Sequence, residues 1–113
     1  MGLALRCELQ PDGAVRGTFL GHCAVEGYPG WLHGGVIAAL LDGAMTNCLF
    51  AHGIQALTAE LQVRYLAPAS STEASEVRAW LESSRHGVFQ LRAELKQQGH
   101  LKARACSKFM PHA

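Results

Sequence analysis

The stretch from Gly34 to about His52 constrains the fold more than any other part of the chain. Its Ala, Leu, Ile, Met and Phe residues are spaced for a helix, and roughly 18 residues is too long for a single strand. The pattern is apolar nearly all the way round, which predicts a helix wrapped by other structure, and Gly53 is placed to end it. One carboxylate, Asp42, interrupts it. A buried carboxylate costs several kcal/mol unless it is neutral or well partnered, so Asp42 must be exposed, paired or functional. Thr46 lies four residues on and shares its face, where it can hydrogen-bond Asp42 or line the same cavity.

Everything on either side of this segment reads as extended. Leu3 to Gln10 alternates, with Leu3, Leu5, Cys7 and Leu9 on one side. Pro11-Asp12-Gly13 supplies a turn, and Ala14 to Cys23 resumes the strand pattern, so the two segments form a hairpin. A Gly/Pro-rich loop then runs from 24 to 32, with Tyr28 and Trp31 as large anchors. Beyond Gly53, Leu57 to Leu66 alternates Leu57, Ala59, Leu61, Val63 and Tyr65 against Thr58, Glu60, Gln62 and Arg64. Glu76 to Leu81, Val88 to Leu95 and Leu101 to Met110 follow, separated by turns at Ser83 to Gly87 and Gln97 to His100. The order strand, strand, helix and four strands predicts one α+β domain over residues 1–113, a curved antiparallel sheet with one face for the helix.

Bulk properties narrow the function classes. A hydrophobic fraction of 49% with only 17% charged residues points to surface buried against a second copy. A net charge of +1 gives no reason to expect nucleic-acid or anionic-membrane partners. The four cysteines form no CxxC pair and nothing at the N-terminus resembles a secretion signal, so reduced, mostly buried thiols in a cytoplasmic protein are expected. Polar residues and glycines interrupt the longest apolar run before it reaches the ~18 residues of a membrane span. No Gly-rich phosphate loop, HExxH-like motif or clustered Cys/His set occurs, so neither a nucleotide cofactor nor a catalytic metal is indicated.

The stretch Leu32-His33-Gly34-Gly35, with Asp42 nine residues after the His, then Thr58 opening Thr58-Ala59-Glu60-Leu61-Gln62-Val63-Arg64-Tyr65 and closing at Pro68, resembles the hotdog-fold acyl-CoA thioesterases. The likeness is to the phenylacetate-degradation branch of the 4-hydroxybenzoyl-CoA thioesterase superfamily and covers about Gly27 to Phe109. It implies an antiparallel sheet wrapped round one long central helix, paired with a second copy and often doubled again into a tetramer. It also implies hydrolysis of an aryl- or fatty-acyl-CoA without cofactor, coenzyme A being part of the substrate. Two other readings stay open: a hotdog hydratase or dehydratase acting on an acyl thioester, and a non-catalytic acyl-CoA-binding module.

Thioester hydrolysis needs an activated water or nucleophile, and donors for the charge that develops on the carbonyl oxygen. Asp42 can serve as general base or as nucleophile. A backbone N–H at a helix start lacks an intrahelical partner and can serve as oxyanion donor; Gly34 fits, and the resemblance gives that place to the glycine after the His. Eight residues of continuous helix span about 12 Å, so one chain cannot bring Gly34 and Asp42 to the same carbonyl. The family builds each site from two subunits, the oxyanion donor of one facing the acid of the other. By the same resemblance His33 orients the turn or bonds the thioester, with a packing and capping role as the lesser alternative. Thr58 stands where relatives position the water or the acid, although a strand residue needs no such role. Gly35 and Thr46 are expected beside the substrate, and Arg64 and Arg85 near the coenzyme A phosphates. Several relatives carry an Asn or Gln six or seven residues before the His, where this chain has Gly27 and Glu26.

Overall fold

The computed structural model describes residues 5–21 and 26–111. Six strands and one helix follow in the expected order: β1 Cys7–Leu9, β2 Val15–Leu20, α1 Gly34–Ala51, β3 Ala56–Tyr65, β4 Ala74–Arg85, β5 Val88–Gln97 and β6 His100–Pro111. Leu3 and Cys23, placed on strands by their alternation, lie outside the described residues. The strands form one curved antiparallel sheet in the order β1-β2-β4-β5-β6-β3. The chain leaves β2 near one edge, crosses through α1, and enters β3 at the other edge. That crossover lays the helix over one face, the α+β hotdog arrangement.

Side-chain size explains the fit. The sheet's inner face presents Ala79, Ala93, Ala103 and Ala105, and the room they leave is filled from α1 by Ile37, Leu40, Leu41, Met45 and Leu49, all buried. Each such large apolar side chain contributes about 1.5–3 kcal/mol. Sequence periodicity predicted a helix enclosed all round, but Ala39, Thr46, Asn47 and Phe50 are exposed, because the described residues cover only one side of α1. The helix is also long and apolar enough to cross a membrane by length and composition, against the expectation, yet it packs on the sheet as a core helix.

Local chemistry sets the ends of the elements. His52 caps α1, and Gly53, at φ 75, takes the left-handed position that follows. The Gly53 and Ile54 amides then donate to the Phe50 and Leu49 carbonyls, 2.9 Å each, so the last carbonyls are satisfied. The β4–β5 and β5–β6 turns are tighter than expected: only His86-Gly87 and Gln98-Gly99 lie outside the strands, all four with positive φ. Arg85, expected in a turn, is therefore the last residue of β4 and pairs with Val88. Of the described cysteines, all free, Cys48 is buried while Cys7 and Cys106 are half-buried, so "mostly buried" overstates it. Burial pushes the Cys7 and Cys48 thiols up.

Candidate functional site

Two contacts tie α1 to the edge strand β3, and each holds residues singled out in the sequence. At the first, Asp42 is half-buried and its Oδ1 accepts a 2.8 Å hydrogen bond from the Thr58 hydroxyl. A β-bulge makes this possible. Thr58 pairs with Phe109 and Glu60 with Lys108, so Ala59 is an extra residue on β3. Simple alternation put Thr58 on the face of Glu60, Gln62 and Arg64. The extra residue inverts the parity, and Thr58 faces inward with Leu61, Val63 and Tyr65, whose partners Ser107, Ala105 and Ala103 are buried. Thr46 does not reach the carboxylate: its hydroxyl donates to the Asp42 main-chain carbonyl at 3.0 Å. Oδ2 of Asp42 accepts no hydrogen bond among the described residues.

The second contact is at the start of the helix. His33 is the N-cap, with extended dihedrals (φ −63, ψ 136), and its Nδ1 accepts the Gly35 N–H at 2.8 Å. A Cβ on residue 35 would lie 3.0 Å from that nitrogen, a tight contact to which the His33 ring would have to yield. Because its amide is engaged by His33, Gly35 does not offer it to a ligand. The His33 carbonyl accepts the Val36 and Ile37 amides at 3.0 and 3.1 Å. The Gly34 N–H has no partner among the described residues. Tyr65 secures the same residue from β3: its hydroxyl donates to the Gly34 carbonyl at 2.7 Å, and a Cβ at 34 would meet its ring at an ordinary 3.6 Å.

An open groove of about 950 Å³ lies over this helix start, lined by Tyr28, Trp31, Ile37, Tyr65, Leu66 and Pro68 beside His33 and Gly34. Its walls are braced from behind. Glu26 accepts the Gly30 N–H at 2.9 Å and the Ser71 hydroxyl, and these two donors, Ser71 first, hold its carboxyl below the usual range. Gln97, buried at the end of β5, accepts the Ser70 N–H and donates to the Ser70 carbonyl, both at 2.8 Å. Gly27 brings no side chain to this groove.

The remaining expected residues are elsewhere. Arg64 opens onto the outer face of the sheet, away from α1, and Arg85 is not among the groove's lining residues. Among the described residues no group of three or more His, Cys, Asp or Glu is placed to hold a metal ion. Tyr65 and Gln97 were not singled out for the site. Both left a signal: Tyr65 shares the helix-facing set of β3, and Gln97 continues the buried parity of Leu91, Ala93 and Leu95 with a polar residue.

Asp42 and Gly34 thus sit at separate places on one continuous helix, each against β3. In overall shape the chain is similar to a thioesterase superfamily protein at 28% identity and TM-score 0.90, covering 94% of this chain and 55% of that one, so it spans little more than half of that relative's length. It is similar to a phenylacetic acid degradation-related protein from Ralstonia eutropha at 26% identity and TM-score 0.85, over 96% of this chain and 85% of that one. A hypothetical thioesterase protein from Streptococcus pneumoniae solved with coenzyme A shares the fold at 17% identity and TM-score 0.88, over 96% of this chain and 86% of that one. No curated protein matches the chain. The model of one family matches residues 29–103, a span that takes in the capped helix start, Asp42, Thr58 and Tyr65, and the chain accordingly belongs to the thioesterase superfamily.

Proposed function

We propose that the chain hydrolyses an aryl- or fatty-acyl-CoA to free acid and coenzyme A, at a site shared between two copies. The observation that carries this reading is the Asp42–Thr58 pair at the open margin of the sheet. Thr58 occupies one carboxylate oxygen and sets its orientation, leaving the other to act. As base, Oδ2 takes a proton from water while the hydroxide attacks the thioester carbon. The oxyanion is stabilised by the Gly34 N–H, and as the C–S bond breaks the proton returns to the departing thiolate. As nucleophile, Asp42 would instead form a mixed anhydride that water then opens. His33 fixes the turn that presents the Gly34 N–H.

Symmetry supports the shared site. Among the described residues β3 is an edge strand with partners on one side only, and Leu57, Leu61 and Tyr65 on it are exposed. A two-fold axis beside its middle, near Leu61 and Gln62, would pair β3 with a second β3 antiparallel. The Tyr65 end of one chain, with its Gly34, would then lie along the Thr58 end of the other, with its Asp42. Dimerisation would cover the exposed apolar residues and complete two sites at once. The Ralstonia neighbour supports the phenylacetate-degradation branch, and coenzyme A in the Streptococcus neighbour is a property of that fold relative.

The test is release of free thiol from a panel of aryl- and fatty-acyl-CoAs. Asp42→Asn should abolish release while leaving the melting temperature within a few degrees; full activity in that variant would sink the mechanism. A second reading, a binding module without turnover, is favoured by Gly27, which leaves no side-chain amide to position water. Calorimetric binding of acyl-CoA by the wild-type chain with no thiol released would select it.

A further inference from the structure

The helix that carries the candidate site begins on two glycines. Gly34 and Gly35 are the first residues of α1 after the His33 cap, and glycine is among the weakest helix formers because ordering costs it the most backbone freedom. Such a start would fray unless other groups held it. Here the peptide between Gly34 and Gly35 is held at both ends. Its N–H, that of Gly35, donates to His33 Nδ1 at 2.8 Å, and its carbonyl, that of Gly34, accepts the Tyr65 hydroxyl at 2.7 Å. A carbonyl oxygen has two lone pairs, so it can take this bond as well as its helical one. The preceding peptide is held through the His33 carbonyl, which accepts the Val36 and Ile37 amides. Of the four amides that open the helix, only that of Gly34 is left without a partner among the described residues.

The two holds differ in reach. The His33 cap is local, two residues from its target, and moves with the turn it caps. Tyr65 comes from 31 residues away and is fixed in the sheet. It pairs with Ala103, and the two amides that follow it, Leu66 and Ala67, both donate to the Lys102 carbonyl at 2.9 and 3.1 Å. Tyr65 is therefore the contact that registers the helix start against β3. The same strand does this twice, since Thr58 holds the Asp42 carboxylate. The two hydroxyls sit near opposite ends of β3, so an antiparallel pairing of two β3 strands brings one chain's Tyr65 end beside the other's Thr58 end.

We infer that Tyr65 is a positioning residue for the reaction: its hydroxyl locks the first turn of α1 to the sheet and so aims the Gly34 N–H at the thioester oxygen. What that N–H does rests on the hydrolase reading above. That Tyr65 holds the turn rests on the hydrogen bonds alone. Tyr65 also lines the groove, where its ring could serve simply as a wall for the acyl group, and the kinetics separate the two roles.

The test is Tyr65→Phe in the full chain, which keeps the ring and removes the hydroxyl. Two readouts are needed: steady-state thiol release from one aryl-CoA, and hydrogen exchange at the Gly35 amide without substrate. The variant should lose at least tenfold in kcat with KM within twofold of wild type. Exchange at Gly35 should quicken at least tenfold while the amides from Leu40 to Leu49 keep their protection. An unchanged kcat, or a raised KM at unchanged kcat, would overturn the positioning role, the latter making Tyr65 a groove wall. Exchange quickened along the whole helix would overturn it too, as a general loss of stability. A wild type that releases no thiol would sink the hydrolase reading and the catalytic part of this inference with it. In that case faster Gly35 exchange in the variant would still uphold the hold on the first turn, and unchanged exchange would overturn it.

Discussion

Thr58 decides what Asp42 can be. Without its hydroxyl the half-buried carboxylate loses the hydrogen bond that holds Oδ1 and is free to turn. A hydrogen bond to a charged group is worth about 1.5–3 kcal/mol, so Thr58→Val should lower kcat on the order of ten- to a hundredfold with little change in KM. Thr58→Ser should keep most of the activity. Steady-state kinetics on one aryl-CoA would decide, and equal kcat values for Val and wild type would remove Thr58 from the site. Asp42 itself was legible in the sequence as one acid in an apolar helix, and Gly34 as the first amide after a capping His. The place of Thr58 beside Asp42 was implied only by the family resemblance: alternation along Leu57 to Tyr65 assigned Thr58 to the opposite face. A bulge adds a single residue and leaves no composition signal, since Ala59 is an ordinary strand residue.

At the level of elements, periodicity recovered the order of all six strands and the helix. It misplaced their ends, because a two-residue turn with positive φ can begin at His86 or Gln98 with no Pro or Asn to announce it. The loop over the helix start is held by contacts that local pattern cannot show, above all Glu26 with Ser71, 45 residues away in sequence. That bracing has a pH dependence of known sign. The Glu26 carboxyl is held down in the folded state, so its contribution is complete above the unfolded carboxylate range, near 4.3, and is lost as pH falls through the lower folded value. Hydrogen exchange at the Gly30 amide should therefore stay protected through the ordinary carboxylate range and open only below it. Glu26→Ala should remove that protection at neutral pH; unchanged protection would show that Glu26 does not brace the loop.

For the whole molecule, the composition pointed to surface for a second copy, and the exposed Phe50, Leu57 and Tyr65 are apolar surface that such a copy would cover. Which surfaces meet could not be read from one sequence, because the edge position of β3 follows from the crossover through α1. If two β3 strands pair about an axis near Leu61, then Leu61→Lys places two like charges side by side there. Sedimentation should shift toward monomer, and activity per chain should fall in parallel. A monomer that keeps full activity would separate assembly from catalysis.

If Gly34 of one chain works with Asp42 of another, two inactive variants should complement each other. Gly34→Pro deletes the candidate oxyanion N–H at the first helical position, where proline is tolerated, and extended His33 is compatible with a following proline. Gly34→Pro and Asp42→Asn should each be inactive alone. Co-refolded in equal amounts, they should recover about a quarter of wild-type activity, since half the dimers are mixed and each mixed dimer holds one intact site. Activity no higher than that of the separate variants would contradict the shared site.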